Sequence, residues 1–256
     1  MRKIVLITTC QNQLNVDARF VTCLTQTIDL LKKEEIESEF VFIEKTDISD
    51  VHKSQVVENF LTAEEVSDFI FLKSNLIFQP QNIVDMLVKY EAQKIVGGSY
   101  KTDNHTRVPQ LAIELDLEKT ETMVGDLNLI KVSSLADGFV KINRKVFEEH
   151  KDIYDKFFFT NKSKDGDDFE EQKPFYFSPV FLKEKNYFKG SFYKFLNKVK
   201  DAGEDLWCHL DFNASQVDGS YVHHYPLRDF IKMVEHFKEK QKQQKQKSEE
   251  EKQELN

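Results

Sequence analysis

Long apolar runs are missing from this 256-residue chain: no stretch approaches the roughly 20 consecutive apolar residues of a membrane helix, so no membrane span is expected. Cysteine is scarce as well. The three present, Cys10, Cys23 and Cys208, are odd in number and lack metal-ligand spacing, which argues against a disulfide framework and fits free thiols in a reducing compartment. The segment Met1-Arg2-Lys3-Ile4-Val5-Leu6-Ile7-Thr8-Thr9 is basic and then apolar, but its apolar run is too short for a secretory signal and reads as a first strand. A cytoplasmic protein is expected. No concentrated basic stripe lies outside the C-terminal tail and the net charge is −8, which disfavours a nucleic-acid partner. Glycine (8) is rare while phenylalanine (22) and lysine abound, a bias of AT-rich genomes that carries no mechanism.

What is present suffices for one α/β domain with its own core. Short apolar runs alternate with amphipathic segments. Lys3 to Thr9 is a buried-type strand, and Asp17 caps a helix whose Phe20, Leu24, Ile28 and Leu31 recur at helical spacing. Glu39 to Glu44 is a second strand, Asp47 to Leu61 a helix, Phe69 to Leu72 a third strand, Pro80 to Glu91 a helix and Ile95 to Ser99 a fourth strand. This β-α-β-α-β-α-β order predicts a doubly wound, mostly parallel sheet, with Ile4–Ile7, Phe40–Ile43, Phe69–Leu72 and Ile95–Val96 as neighbouring buried strands. Further on, Leu111 to Leu117 and Leu129 to Val132 read as strands, and Leu135 to Phe147 as a turn, a strand and a helix start. Thr160 to Lys173, polar and rich in Asp and Lys, reads as a flexible loop. Ser191 to Ala202 is a helix stopped by Gly203, and Leu206 to Phe212 another strand. From Lys238 the chain is Lys/Gln/Glu low complexity, either a solvated helix or disorder.

Several residues invite a functional reading beside a structural one. Thr8, Thr9 and Asn12 follow the first strand, where doubly wound folds bind ligands at the carboxyl ends of strands, or they only hydrogen-bond a loop. Gly97-Gly98 admits positive φ and close ligand approach, or makes a tight turn. His209, His223 and His224, with Asp211 or Asp218, are the only clustered imidazoles, but no partner spacing supports a metal site. Trp207, Tyr221 and Tyr225 stack on a sugar or base, or fill the core.

In order along the chain, the match Lys53-Ser54 ahead of Phe60-Leu61, Lys73-Ser74-Asn75 with Pro80, Gly97-Gly98-Ser99-Tyr100, the block Gly138 to Phe147, Gly190-Ser191 ahead of Phe195 and Gly203, and Trp207 to Gly219 resembles the GT-A glycosyltransferases. The resemblance is to the family 2-like and Anp1-like branch common in phages and large viruses, and covers roughly residues 1 to 225. It implies a GT-A-like domain over 1–227, with a nucleotide-binding half (1–100), an acceptor half (101–227) and a charged tail (228–256). It also implies transfer of a sugar from a nucleotide-diphosphate sugar to an acceptor that the sequence does not name, with the oligomeric state left open.

The family's Asp-x-Asp triplet holds Mg²⁺ or Mn²⁺ against the diphosphate; here the triplet is Lys73-Ser74-Asn75. No metal is expected, unless carboxylates outside the triplet supply ligands. By the resemblance, Lys53, Lys73 and Asn75 join Thr8, Thr9, Asn12, Gly97 and Gly98 as candidate donor-binding residues, with Lys73 able to pair with the diphosphate directly. Asp137 stands where the family places donor or acceptor contacts and is the candidate general base, although Asp137-Gly138 is also a plain turn dipeptide. Glu204, with Asp205, is the nearest acidic pair to the family's missing Glu-Asp and the second catalytic candidate. The alternative is an inactive scaffold that binds a sugar, a nucleotide or a protein.

Overall fold

The computed structural model describes residues 2–10, 16–44, 49–100, 113–114, 123–124, 128–162, 168–178, 180–182, 187–189, 191–218, 221–223, 227–229, 231–232 and 236. The first apolar run forms β1 (Arg2–Cys10), in which Ile4, Val5 and Leu6 are fully buried. Helix α1 (Ala18–Lys33) starts where Asp17 Oδ1 accepts from the backbone N–H of Arg19 at 2.8 Å. There follow β2 (Ile36–Glu44), α2 (Ser49–Leu61), β3 (Val66–Lys73), β4 (Leu76–Ile77), α3 (Pro80–Val88) and β5 (Ile95–Ser99). Short strands β6 (Ile113–Glu114), β7 (Met123–Val124), β8 (Leu129–Lys131) and β9 (Ser134–Leu135) lead to β10 (Phe139–Asn143) and α4 (Arg144–Glu149). The chain then forms β11 (Asp155–Lys162), β12 (Asp168–Phe175), β13 (Val180–Leu182), β14 (Tyr187–Lys189), α5 (Ser191–Asp201), β15 (Trp207–Asn213), β16 (Ser215–Asp218) and β17 (Tyr221–His223). Gly203 stands just beyond α5 at φ +100°, a conformation open to glycine at little cost, and its N–H donates to the Lys200 carbonyl at 2.9 Å.

Among the described residues, eight strands form the central sheet in the order β2-β1-β3-β10-β5-β15-β8-β7. β2, β1, β3, β5, β15 and β7 run one way, β10 and β8 the other, so the sheet is mixed and mostly parallel in direction. The period-2 alternation of the strands divides the core between the two faces. Val5, Ile7, Phe69 and Phe71 pack on one side with Phe177, Phe192 and Phe195; Ile4, Leu6, Ile70 and Leu72 pack on the other with Phe20, Leu24, Ile83 and Leu87. The abundant phenylalanines concentrate on the first side, where Phe71 meets Phe177 and Phe192 edge-on at 5.4 and 5.5 Å.

Three expectations change. Phe40–Ile43 is not a buried strand: β2 lies at the edge of the sheet, with Ile43 buried, Phe40 and Val41 half-buried and Phe42 exposed, because one of its sides has no neighbouring strand among the described residues. β3 and β5 are not neighbours, because β10 lies antiparallel between them, pairing Val140 with both Phe71 and Gly97. Apolar alternation reports that a strand is buried, not which way it runs. The 160–173 stretch is not simply a loop: β11 and β12 pair as a hairpin from Asp155↔Phe175 to Lys162↔Asp168. Backbone ladder bonds form regardless of side-chain polarity, so a polar composition did not preclude strands. The C-terminal run from Lys238 lies outside the described residues. Among those described, no helix is long and apolar enough to cross a membrane.

Candidate functional site

The carboxyl ends of β1 and β3 lie side by side, with Thr9 in register with Lys73. Backbone bonds lock this edge: Ser74 N–H donates to the Thr9 carbonyl at 3.2 Å, and Lys73 N–H donates to the Gly138 carbonyl at 3.0 Å. The second bond ties the end of β3 to the turn before β10, so Asp137 is held beside Lys73. Helix α2 brings Lys53 to the same point.

Asp137 bridges two ammonium groups. Its Oδ2 lies 3.1 Å from Lys53 Nζ and its Oδ1 lies 3.4 Å from Lys73 Nζ. Each lysine has a second holder: Lys53 reaches Asp50 Oδ1 at 3.2 Å, and Lys73 donates to the Tyr100 hydroxyl at 3.0 Å. The Lys53 side chain is 5% exposed, whereas those of Lys73 and Asp137 are 38% and 24% exposed. Water therefore reaches one end of the network and not the other.

Burial alone would raise the Asp137 carboxyl, but the ammonium groups of Lys53 and Lys73 outweigh it and hold its pKa down at about 2. Burial opposes the charge on both lysines. For Lys53 it is outweighed by Asp137 and Asp50, and for Lys73 by Tyr100 and Asp137, so both pKa values are raised. Burial pushes the Tyr100 phenol up to about 12 against the pull of Lys73, so it is neutral at ordinary pH. A carboxylate so stabilised is a weak base.

The other anticipated residues are distributed unevenly. Thr9 adjoins Lys73, but Thr8 points to the opposite face, buried between Phe42 and Leu72, and its hydroxyl has no hydrogen-bond partner among the described residues. Asn75 is engaged with β16: its carbonyl accepts from Val217 N–H at 2.8 Å and its side-chain amide donates to the Val217 carbonyl at 3.5 Å. Gly97 and Gly98 serve strand packing. A Cβ at 98 would lie 2.2 Å from the Phe212 carbonyl oxygen and 2.4 Å from the Phe139 ring, and one at 97 would lie 2.9 Å from Leu135. Asn12 lies outside the described residues, as do Gly190, Gly219, His224 and Tyr225.

Glu204 is not brought to Asp137. It precedes β15 at the opposite edge of the sheet, where its Oε1 meets Lys94 Nζ at 2.7 Å and His150 Nε2 at 2.9 Å. Glu149, His150 and Glu204 are close enough to share an ion, but the Lys94 ammonium already lies 2.5 Å from Glu149 and 2.7 Å from Glu204 and would repel a cation there. His209 stacks on Phe212 with ring centroids 3.8 Å apart, and burial lowers its pKa to about 4, leaving it neutral. Its expected partner Asp211 pairs with Arg228 at 2.8 Å instead. Arg144 donates to the Leu61 carbonyl at 2.6 Å and to the Ala63 carbonyl, satisfying the end of α2. Trp207 is partly buried, with Lys131 Nζ 5.2 Å from its ring centroid.

Two members of the site escaped the sequence reading, Tyr100 and Asp50. Tyr100 had a signal, since it closes the Gly97-Gly98-Ser99-Tyr100 motif. Asp50 had a weaker one in its i, i+3 spacing from Lys53.

At the Lys73-Ser74-Asn75 triplet the donors do not fit a divalent cation. Lys73 is an ammonium, Asn75 is occupied with Val217, and the adjacent carboxylate, Asp137, is shared between two positive charges. A hard cation needs oxygen ligands free of such competition.

No family model matches the chain, and no curated protein matches it. Among solved structures, it is similar to A197 from STIV, with a TM-score of 0.50 and 15% sequence identity, over 85% of this chain and 86% of that one. At that identity the likeness bears on the fold alone.

Proposed function

We propose that this chain is a glycosyltransferase-like protein that binds a nucleoside-diphosphate sugar at the carboxyl edge of its central sheet, with Lys53 and Lys73 facing the diphosphate in place of a metal. The observation that carries the reading is the convergence of two ammonium groups on one carboxylate at the strand ends. That edge is where doubly wound sheets bind nucleotides. A phosphoryl group takes the same charge-assisted hydrogen bonds that Asp137 takes here. Thr9 lies near the carboxyl end of β1, in register with Lys73. The Mg²⁺ or Mn²⁺ of GT-A enzymes does not suit this donor set, so no step is assigned to one.

Asp137 and Glu204 do not form an acid–base pair in this reading, since they occupy opposite edges of the sheet. The low basicity of Asp137 favours a second reading, an inactive scaffold that binds a nucleotide, a sugar or a protein. The two are separated by incubating the protein with a panel of nucleoside-diphosphate sugars in EDTA and in Mn²⁺, following binding by calorimetry and nucleoside diphosphate release by chromatography. Binding that survives EDTA with release of the diphosphate supports the transferase; binding without release supports the scaffold. Binding that appears only with Mn²⁺ would show that carboxylates elsewhere supply a metal site, and no binding in either condition removes the nucleotide-sugar reading.

A further inference from the structure

We propose, resting on the reading above, that Asp137 is the resident anion of a phosphate subsite rather than a catalytic base: a phosphoryl group of the ligand takes the place of its carboxylate between Lys53 and Lys73. The Asp137 carboxylate meets one ammonium with each oxygen, at 3.1 and 3.4 Å, as two oxygens of a phosphoryl group would.

Charge counting makes exchange necessary. Lys53 and Lys73 are already balanced by Asp137 and Asp50, so a phosphoryl group entering beside Asp137 meets no net positive charge. Once Asp137 turns out, one positive charge is released for the incoming anion. Exchange is also mechanically possible. Asp137 sits in a turn with a partly exposed side chain, so its carboxylate can return to water. The clamp does not depend on it, because Asp50 holds Lys53 at 3.2 Å and Tyr100 holds Lys73 at 3.0 Å. The nearly inaccessible Lys53 ammonium keeps Asp50 as a partner in both states, so its buried charge is never left unpaired during the exchange.

The test is calorimetric titration of inorganic pyrophosphate, in EDTA, into the wild type, Asp137→Asn and the double variant Asp137→Asn/Lys73→Met. Removing the competing carboxylate is expected to tighten binding about tenfold or more, and the double variant is expected to lose that gain. Thermal denaturation reports the same competition for a destabilised variant, with pyrophosphate raising the melting temperature of Asp137→Asn more than that of the wild type. Equal or weaker binding by Asp137→Asn, or no binding by either protein, would overturn the proposal. Its failure is distinguishable from that of the nucleotide-sugar reading. Donor binding that is the same in wild type and Asp137→Asn sinks the exchange alone, whereas pyrophosphate binding that follows the expected order without affinity for any nucleoside-diphosphate sugar sinks the donor assignment alone.

Discussion

The hydroxyl of Tyr100 accepts from Lys73 at 3.0 Å across the space that a side chain at position 138 would fill: a Cβ there would lie 2.4 Å from that hydroxyl. Gly138 therefore lets the phenol reach the lysine. Gly138→Ala must displace the ring and is expected to cost about 1–3 kcal/mol, the usual range for overpacking a filled site. Tyr100→Phe, which removes one hydrogen bond to a charged donor, is expected to cost about 1.5–3 kcal/mol. In a double-mutant cycle followed by urea denaturation, the alanine should cost less in the phenylalanine background. Strict additivity would show that Gly138 does not act through the Tyr100 hydroxyl.

The pKa of Asp137 is about 2 when folded, against an ordinary value of 3.8. A carboxyl whose folded pKa is depressed adds stability that is present above its unfolded pKa and is lost as pH falls through the folded one. Between pH 5 and 2 the wild type should therefore lose about 2 kcal/mol more than Asp137→Asn, in which this linkage is absent. Parallel curves in urea titrations would contradict the double ion pair.

Lys141 is buried with Asp68 4.0 Å away and donates to the Tyr90 carbonyl at 2.8 Å. Burial lowers its pKa from 10.5 to about 8, against the pull of Asp68. Below pH 8 the lysine is charged in both states and the folded protein bears its desolvation. From pH 8 to 10.5 the unfolded chain holds more protons, so stability from this group rises with pH. Because Asp68 keeps its pair with Arg2 at 2.6 Å, Lys141→Met is expected to be about 1–2 kcal/mol more stable than the wild type at pH 7, with the advantage shrinking toward pH 10.5. An advantage that grows with pH would reverse the assignment.

Lys73→Ala should leave the fold intact, because the side chain ends at a partly open strand terminus. It should weaken binding of nucleoside diphosphates by about 1.5–3 kcal/mol, the range for hydrogen bonds to charged groups. Calorimetry at low and moderate salt checks this. Equal affinity in the variant and the wild type would remove Lys73 from the binding site.

The order of strands and helices in the first hundred residues was legible because each element carries its own period. Ile95 to Ser99 is a strand at the anticipated limits, and Asp17 caps α1 as its position before Phe20 and Leu24 implied. Lys73 and Asp137 could be singled out individually, each from its place in a motif. That they share one ion-pair network with Lys53 could not, since contacts separated by 84 residues, as between Lys53 and Asp137, leave no periodic trace.

By itself the sequence determined where the chain is apolar and with what spacing, and so which segments become buried strands and which become helices, because burial period and capping act within a few residues. The tertiary structure alone decided the neighbours and directions: β10 inserted antiparallel between β3 and β5, Glu204 sent to the far edge with Lys94, and Tyr100 laid over Gly138 onto Lys73. Those outcomes depend on how whole faces fit and on which charges must be paired once water is excluded, and neither condition exists until the sheet has closed.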